Sequence, residues 1–151
     1  MSRKRAESDE HYVLDLCDEV LGTTCRRQWR FDDLRGDRGQ NGRQAKLPVD
    51  GYYPDHRLIV EYMEIQHTKP VPFFDKPDRK TISGMSRGEQ RKRYDGLRQA
   101  YCRDKGIALA VMPHDAFELK RAKLLRNRER DLEVIKGLID AARQLCDDLP
   151  D

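Results

Sequence analysis

Residues 47–67 read LPVDGYYPDHRLIVEYMEIQH, and the fold turns on how this stretch is parsed. LPVDGYY (47–53) predicts a strand, Pro54-Asp55-His56-Arg57 a tight turn, and LIVEYMEIQH (58–67) a longer strand rich in Leu, Ile, Val and Tyr. Two strands joined by four residues form an antiparallel hairpin. This hairpin is unusually polar for a buried one. Asp50 falls in its first strand, and Glu61, Glu64, Gln66 and His67 fall in its second. Alternation places Glu64 and Gln66 on one face, with Glu61 and His67 on the other. Carboxylates on a central strand cost several kcal/mol unless they are paired, hydrogen-bonded or metal-bound. Acids converging from adjacent strands suit a hard divalent cation, which can activate a water and neutralise charge on a phosphate. The alternative is an ordinary wet face of an antiparallel sheet.

Upstream, residues 8–21 predict a helix capped by Ser8 and ended by Gly22, with Tyr12, Val13, Leu16, Cys17, Val20 and Leu21 as its apolar stripe. Cys25–Phe31 follows as a strand, with Cys25, Arg27, Trp29 and Phe31 sharing a parity. Residues 35–46 hold three glycines and four cations against one acid, and predict a mobile basic loop. Downstream, residues 68–88 carry three prolines and predict a functional loop or lid. Gly88–Lys105 predicts a helix, Ile107–Met112 a central strand parallel to a neighbour, and Ala116–Cys146 a long C-terminal helix. The order αβββαβα is an α/β arrangement around one mixed sheet of about four strands flanked by helices. After a flexible N-terminus, 1–7, residues 8–151 read as one domain.

The chain has 151 residues, 38% of them charged, with a formal net charge of +3. No apolar run approaches the roughly 20 residues that span a bilayer, so no membrane segment is expected. Met1–Glu10 is charged with no apolar stretch behind it, which reads as the absence of a secretory signal. The four cysteines show no Cys-x-x-Cys pair, against a structural zinc site and against a disulfide framework. A reduced cytoplasmic protein is expected. Cations cluster in 35–46, in 79–105 and in 120–130. Arg35, Arg38, Arg43, Lys46, Lys69, Arg87, Arg91, Lys92 and Arg98 are the candidates for phosphate contacts. A solvated charged face explains any one cluster; three beside the acidic hairpin favour nucleic acid. Trp29 and Phe73-Phe74 have the chemistry to stack on bases, with core packing the alternative for Trp29.

The hairpin resembles the core of the PD-(D/E)XK nuclease-like superfamily, in the branch of very-short-patch repair endonucleases and related small homing endonucleases. Asp50 matches the family's first Asp, Glu61 its Glu, and Gln66-His67 its terminal pair. Ser8-Asp9-Glu10 before an apolar helix is similar to the family's first helix, whose early Glu can join the site. RYDGLRQAYCRDKGIALAVMP (93–113) is similar to its later helix and strand, with Asp95 and Arg98 at polar positions. The resemblance covers about residues 8–113, leaves the 116–146 helix outside, and implies a restriction-endonuclease-like core. It further implies a Mg²⁺- or Mn²⁺-dependent endonuclease acting on DNA, with Asp50, Glu61, Glu64, Gln66 and His67 in the site and Glu10 and Asp95 as secondary candidates. Where the family has Asp-Gly, this chain has Met63-Glu64. Either Glu61 serves with Asp50 as the metal ligand, or Glu64-Ile65-Gln66 supplies an acid and an amide at i, i+2. A third reading keeps the fold as a binding module without catalysis. The apolar stripe of the C-terminal helix leaves a homodimer open.

Overall fold

The computed structural model describes residues 8–39, 42–63 and 87–148. The elements, in chain order, are α1 (Asp9–Leu21), β1 (Arg26–Arg38), β2 (Gln44–Tyr53), a 3₁₀ turn (Pro54–His56) and β3 (Leu58–Met63). They continue with α2 (Arg87–Lys105), β4 (Ala108–Pro113), a 3₁₀ turn (His114–Ala116), β5 (Leu119–Lys120), β6 (Lys123–Leu124) and α3 (Arg128–Asp147). The main sheet has the order β1-β2-β3-β4. β2 and β3 pair antiparallel, with Gly51 opposite Val60 and Tyr53 opposite Leu58. β3 and β4 pair parallel, from Leu58 opposite Ala108 to Met63 opposite Pro113. The expected class, a mixed four-stranded α/β sheet with a C-terminal helix, is what the chain forms. No helix among the described residues is long and apolar enough to cross a membrane.

The chain divides into two compact units. Unit one holds 1–29, 49–65 and 106–151; unit two holds 30–48 and 66–105, so the boundary falls inside β1 and β2. In unit one, α1 packs on α3 and β3, and α3 packs on β4. Val13, Leu14, Cys17, Leu58, Val60, Met112, Ile135 and Ile139 fill that core. Each such fully buried aliphatic contributes roughly 1.5–3 kcal/mol relative to exposure. Leu58, Ile59 and Val60 are all buried, so β3 is covered on both faces as a central strand is. The predicted caps of α1 are in place: Ser8 Oγ accepts from His11 N–H at 3.1 Å, and Gly22 adopts φ +69°.

One fully buried acid stands in this core. Asp131 accepts from the Tyr12 hydroxyl at 2.5 Å and from Asn127 N–H at 3.0 Å, and its other oxygen lies 3.6 Å from Arg130 Nε. Burial and this carboxylate push the Tyr12 phenol well above its ordinary range.

Two expectations are corrected. Residues 35–38 and 44–46 lie in strands instead of the predicted loop: β1 runs to Arg38 and β2 starts at Gln44. Their glycines have the look of turn signals, yet Gly36 is buried in a strand, where an added Cβ would lie 2.8 Å from the Tyr94 ring. The glycine lets α2 approach β1 closely, and Asp37 N–H donates to Tyr94 Oη at 3.0 Å. The C-terminal helix does not begin at 116. Arg121 and Ala122 take φ +52° and +68° in the turn between β5 and β6. Phe117 and Leu124, both buried, anchor the segment. The helix starts only after Asn127, whose side chain accepts from Arg130 N–H at 3.1 Å.

Candidate functional site

The register that pairs Gly51 with Val60 puts Asp50 and Glu61 opposite each other one step further along. There the carboxylates take over from the backbone. Asp50 Oδ2 accepts from Tyr62 N–H at 2.8 Å, and Glu61 Oε2 accepts from Asp50 N–H at 3.4 Å. Both side chains are half-buried. Facing acids repel, and a sheet tolerates them when N–H groups or a cation supply compensating charge.

Next to them, Gly51 is buried, and a Cβ there would sit 3.0 Å from Leu14 and 3.1 Å from Cys25 Sγ. The missing side chain lets α1 lie against the hairpin immediately beside Asp50. Glu10, in the first turn of α1, is thereby brought to the same neighbourhood. The link is Gln28 of β1, whose Nε2 donates to Glu10 Oε2 at 3.5 Å and to Asp50 Oδ1 at 3.4 Å. Both bonds sit at the long end of the hydrogen-bond range. Sequence reasoning missed Gln28, which stands in a run of cations. Its backbone takes φ +51°, a left-handed conformation that non-glycine residues seldom adopt.

The neighbouring residues fix this geometry. Asp18 Oδ1 accepts from Tyr53 Oη at 2.5 Å and from Cys25 N–H at 3.0 Å, while Oδ2 accepts from Arg27 at 2.9 Å. Arg27 also donates to Asp15 at 2.7 Å and to His11 Nδ1 at 3.0 Å. Burial, with the hydrogen bond to Asp18, drives the Tyr53 phenol far above its usual range; burial also raises the Cys17 and Cys25 thiols. These are inert structural groups, and with Arg27 they tie α1 to the start of β1 just before Gln28.

The other sequence candidates divide. Glu64, Gln66, His67 and Lys69 lie outside the described residues, as do Phe73-Phe74 with most of the 68–88 stretch expected to be a loop, and the side chain of Arg87. Asp95 belongs to unit two, where it pairs with Arg98 at 3.2 Å; Arg98 Nε in turn donates to the Pro48 carbonyl at 3.0 Å. Lys46 pairs with Asp32 at 2.6 Å. Arg35 spans the β1–β2 ribbon, donating to the Asp32 and Gln44 carbonyls at 2.8 Å each. Arg38, Arg43, Arg91 and Lys92 are exposed. Trp29 packs against Tyr52, with Arg26 over its ring at 4.8 Å.

Among the described residues, no group of three His, Cys, Asp or Glu is set to hold a metal ion. What the hairpin does offer is a pair of carboxylates, oxygen donors of the kind hard divalent cations take. No protein-family model, curated protein or solved structure matches the chain.

Proposed function

We propose that the protein is a metal-dependent endonuclease that hydrolyses phosphodiester bonds in DNA. The observation that carries this reading is the Asp50–Glu61 pair, tied to the hairpin backbone one step beyond the Gly51–Val60 pair, with Gln28 linking Asp50 to Glu10 of the capped helix α1. The element order and the parallel β3–β4 pair agree with the restriction-endonuclease-like core that the sequence resembles. Asp50 and Glu61, with Glu64 the alternative on the third strand, would hold one Mg²⁺ or Mn²⁺ through oxygen. When bound, that ion supplies charge neutralisation at the scissile phosphate and an activated water.

The chain's own residues supply the rest. Tyr62 N–H and the Gln28 amide orient the Asp50 carboxylate, and Gln28 spaces it from Glu10. Gln66 contributes a hydrogen bond only, since an amide has no proton to surrender at neutral pH. The proton of the attacking water falls to His67, whose ordinary pKa lies near neutrality, or to a phosphate of the substrate.

The test is plasmid nicking at low salt with Mg²⁺, Mn²⁺ or EDTA. Wild type is expected to nick with metal and not with EDTA. Asp50→Asn keeps the volume of the side chain and the fold, and abolishes cleavage. If Asp50→Asn cuts as well as wild type, the site is misplaced. If wild type binds nucleic acid and cuts none with any of these metals, Met63 marks a chain that has kept the fold as a binding module.

A further inference from the structure

The short hairpin β5–β6 breaks three local rules within four residues. Its register sets Lys120 directly opposite Lys123, and like charges facing each other across a strand pair destabilise it. Its two-residue turn takes φ +52° at Arg121 and φ +68° at Ala122. Positive φ at both central residues is the geometry for which Asn-Gly or Gly-Gly is preferred, and a side chain such as that of Arg or Ala is strained there. All four residues are exposed. The hairpin is held without their charges. Leu124 is buried in the core, its N–H donates to Asp9 Oδ2 at 3.1 Å, and Leu125 N–H donates to the Glu118 carbonyl at 2.7 Å. The cations that follow are taken: Arg126 by Asp9 at 3.2 Å, Arg128 by Glu19, and Arg130 by Glu118 at 2.8 Å. Among the described residues, no carboxylate pairs with Lys120, Arg121 or Lys123. The hairpin belongs to unit one, as do Asp50 and Glu61. Asp9, which holds its base through Leu124 and Arg126, is the neighbour in sequence of Glu10, which Gln28 links to Asp50.

We propose that the β5–β6 tip is a phosphate anchor, in which Lys120, Arg121 and Lys123 hold the sugar–phosphate backbone of a nucleic acid independently of its base sequence. The inference rests on the reading of the protein as acting on nucleic acid. It adds a contact which that reading does not contain, in a segment outside residues 8–113, which carry the resemblance. Facing lysines and a left-handed turn cost stability in the free protein, and such costs concentrate where a ligand offsets them. A polyanion does this. A phosphate shared by the two ammonium groups turns their repulsion into attraction, and the Arg121 guanidinium matches phosphate oxygens two at a time. The tight turn keeps the three charges within four residues, and the ties to Asp9 hold them on the body that carries the candidate site. An acidic polypeptide carries the same sign of charge. The phosphodiester is favoured because the base of the hairpin is tied to the residue beside Glu10, in the unit whose carboxylates are read as the cleavage site.

The experiment is fluorescence anisotropy of the full chain in EDTA, so that no metal bridges protein and DNA. The probes are a duplex oligonucleotide with hydroxyl ends, a duplex of unrelated sequence, and the first duplex with 5′-phosphates, over a salt series, with poly-glutamate as competitor. Lys120→Gln combined with Lys123→Gln should weaken binding of both sequences alike, roughly 10-fold or more, and lower the slope of log affinity against log salt by about 2, close to one for each phosphate no longer neutralised. Arg121→Gln should act in the same direction, with the slope lowered by about 1. Arg128→Gln removes a cation already taken by Glu19 and should change affinity by less than about 2-fold. The melting temperature of the double variant should equal that of wild type or rise, because a repulsion is removed. Wild-type affinity in the double variant, an equal loss in Arg128→Gln, or a lower melting temperature overturns the anchor. So does a 5′-phosphate that tightens binding by the factor the double variant loses, which would mark a site for strand ends. Displacement by poly-glutamate as effective as by unlabelled duplex at equal charge overturns it too, in favour of an acidic protein partner. The nuclease reading fails separately. Wild type that binds through these residues and never cuts leaves the anchor standing, whereas a double variant that binds and cuts as wild type does removes the anchor alone.

Discussion

The two units put charge to opposite uses. In unit one, several acids are held in fixed partnerships, one of them fully buried. Asp131 is sealed in the core under Tyr12, Asp18 gathers Tyr53, Cys25 and Arg27, and Asp50 faces Glu61 across a hairpin. In unit two, the acids are paired on the surface, Asp32 with Lys46 and Asp33 with Lys105, and the surplus is positive and exposed. The first arrangement holds oxygen atoms in set positions, as chemistry at one bond requires. The second offers a screened, adaptable field, as contact with a polyanion requires. The proposed nuclease activity would draw on both, and, the β5–β6 tip apart, the two kinds of charge lie in separate units.

The largest effect on stability is expected where charge is most deeply buried. Asp131→Ala strips the acceptor from the Tyr12 hydroxyl and from Asn127 N–H at the head of α3, and should cost about 3–5 kcal/mol. Denaturant titration checks the size. Amide exchange checks the place: protection should fall first in α1 and α3, and loss confined to α2 would break the contrast. In unit two the sensitive point is steric. Gly36→Ala forces a Cβ to within 2.8 Å of the Tyr94 ring and 3.0 Å of Leu47, so Tyr94 must move, at about 1–3 kcal/mol. Exchange should then rise in α2 and the ribbon.

The smallest effects concern pH, and they differ in sign between the units. Tyr12, Tyr53, Cys17 and Cys25 are raised chiefly by burial. Their neutral forms favour the fold, so that stability is complete below the ordinary thiol and phenol values of 9.0 and 10.0 and is lost as pH rises past them. Asp32 and Asp33 are lowered by hydrogen bonds to Lys46 and Lys105. Their contribution is present above the ordinary carboxylate value of 3.8 and fades as pH falls below it. Both are exposed, so about 0.5 M salt should erase the acid-side effect and leave the alkaline one. Melting temperature against pH at two salt concentrations tests this, and an alkaline limb as salt-sensitive as the acid one would contradict it.

The hairpin was legible because its signal is local: apolar runs, a proline turn, and period-two alternation that places Asp50 and Glu61. The helix α1 was legible through its caps. Gln28 was not, because its links to Glu10 and Asp50 span 18 and 22 residues and no local spacing rule foresees them. The 35–46 segment misled because glycine serves two purposes, and only the partner shows which; at Gly36 the partner is Tyr94, 58 residues away. The start of the last helix misled because charges between 120 and 130 fit a helix and a hairpin equally well. There the buried anchors Phe117 and Leu124 decide, and burial is a tertiary property.

One measurement joins both halves of the account: Asp50→Asn and wild type compared for duplex binding and for cleavage in the same preparation. Removing a negative charge from unit one should leave affinity for duplex DNA at or slightly above the wild-type value while metal-dependent cutting disappears. An Asp50→Asn protein that still cuts, or one that loses binding together with cutting while remaining folded, would contradict the division of labour between held acids and exposed cations.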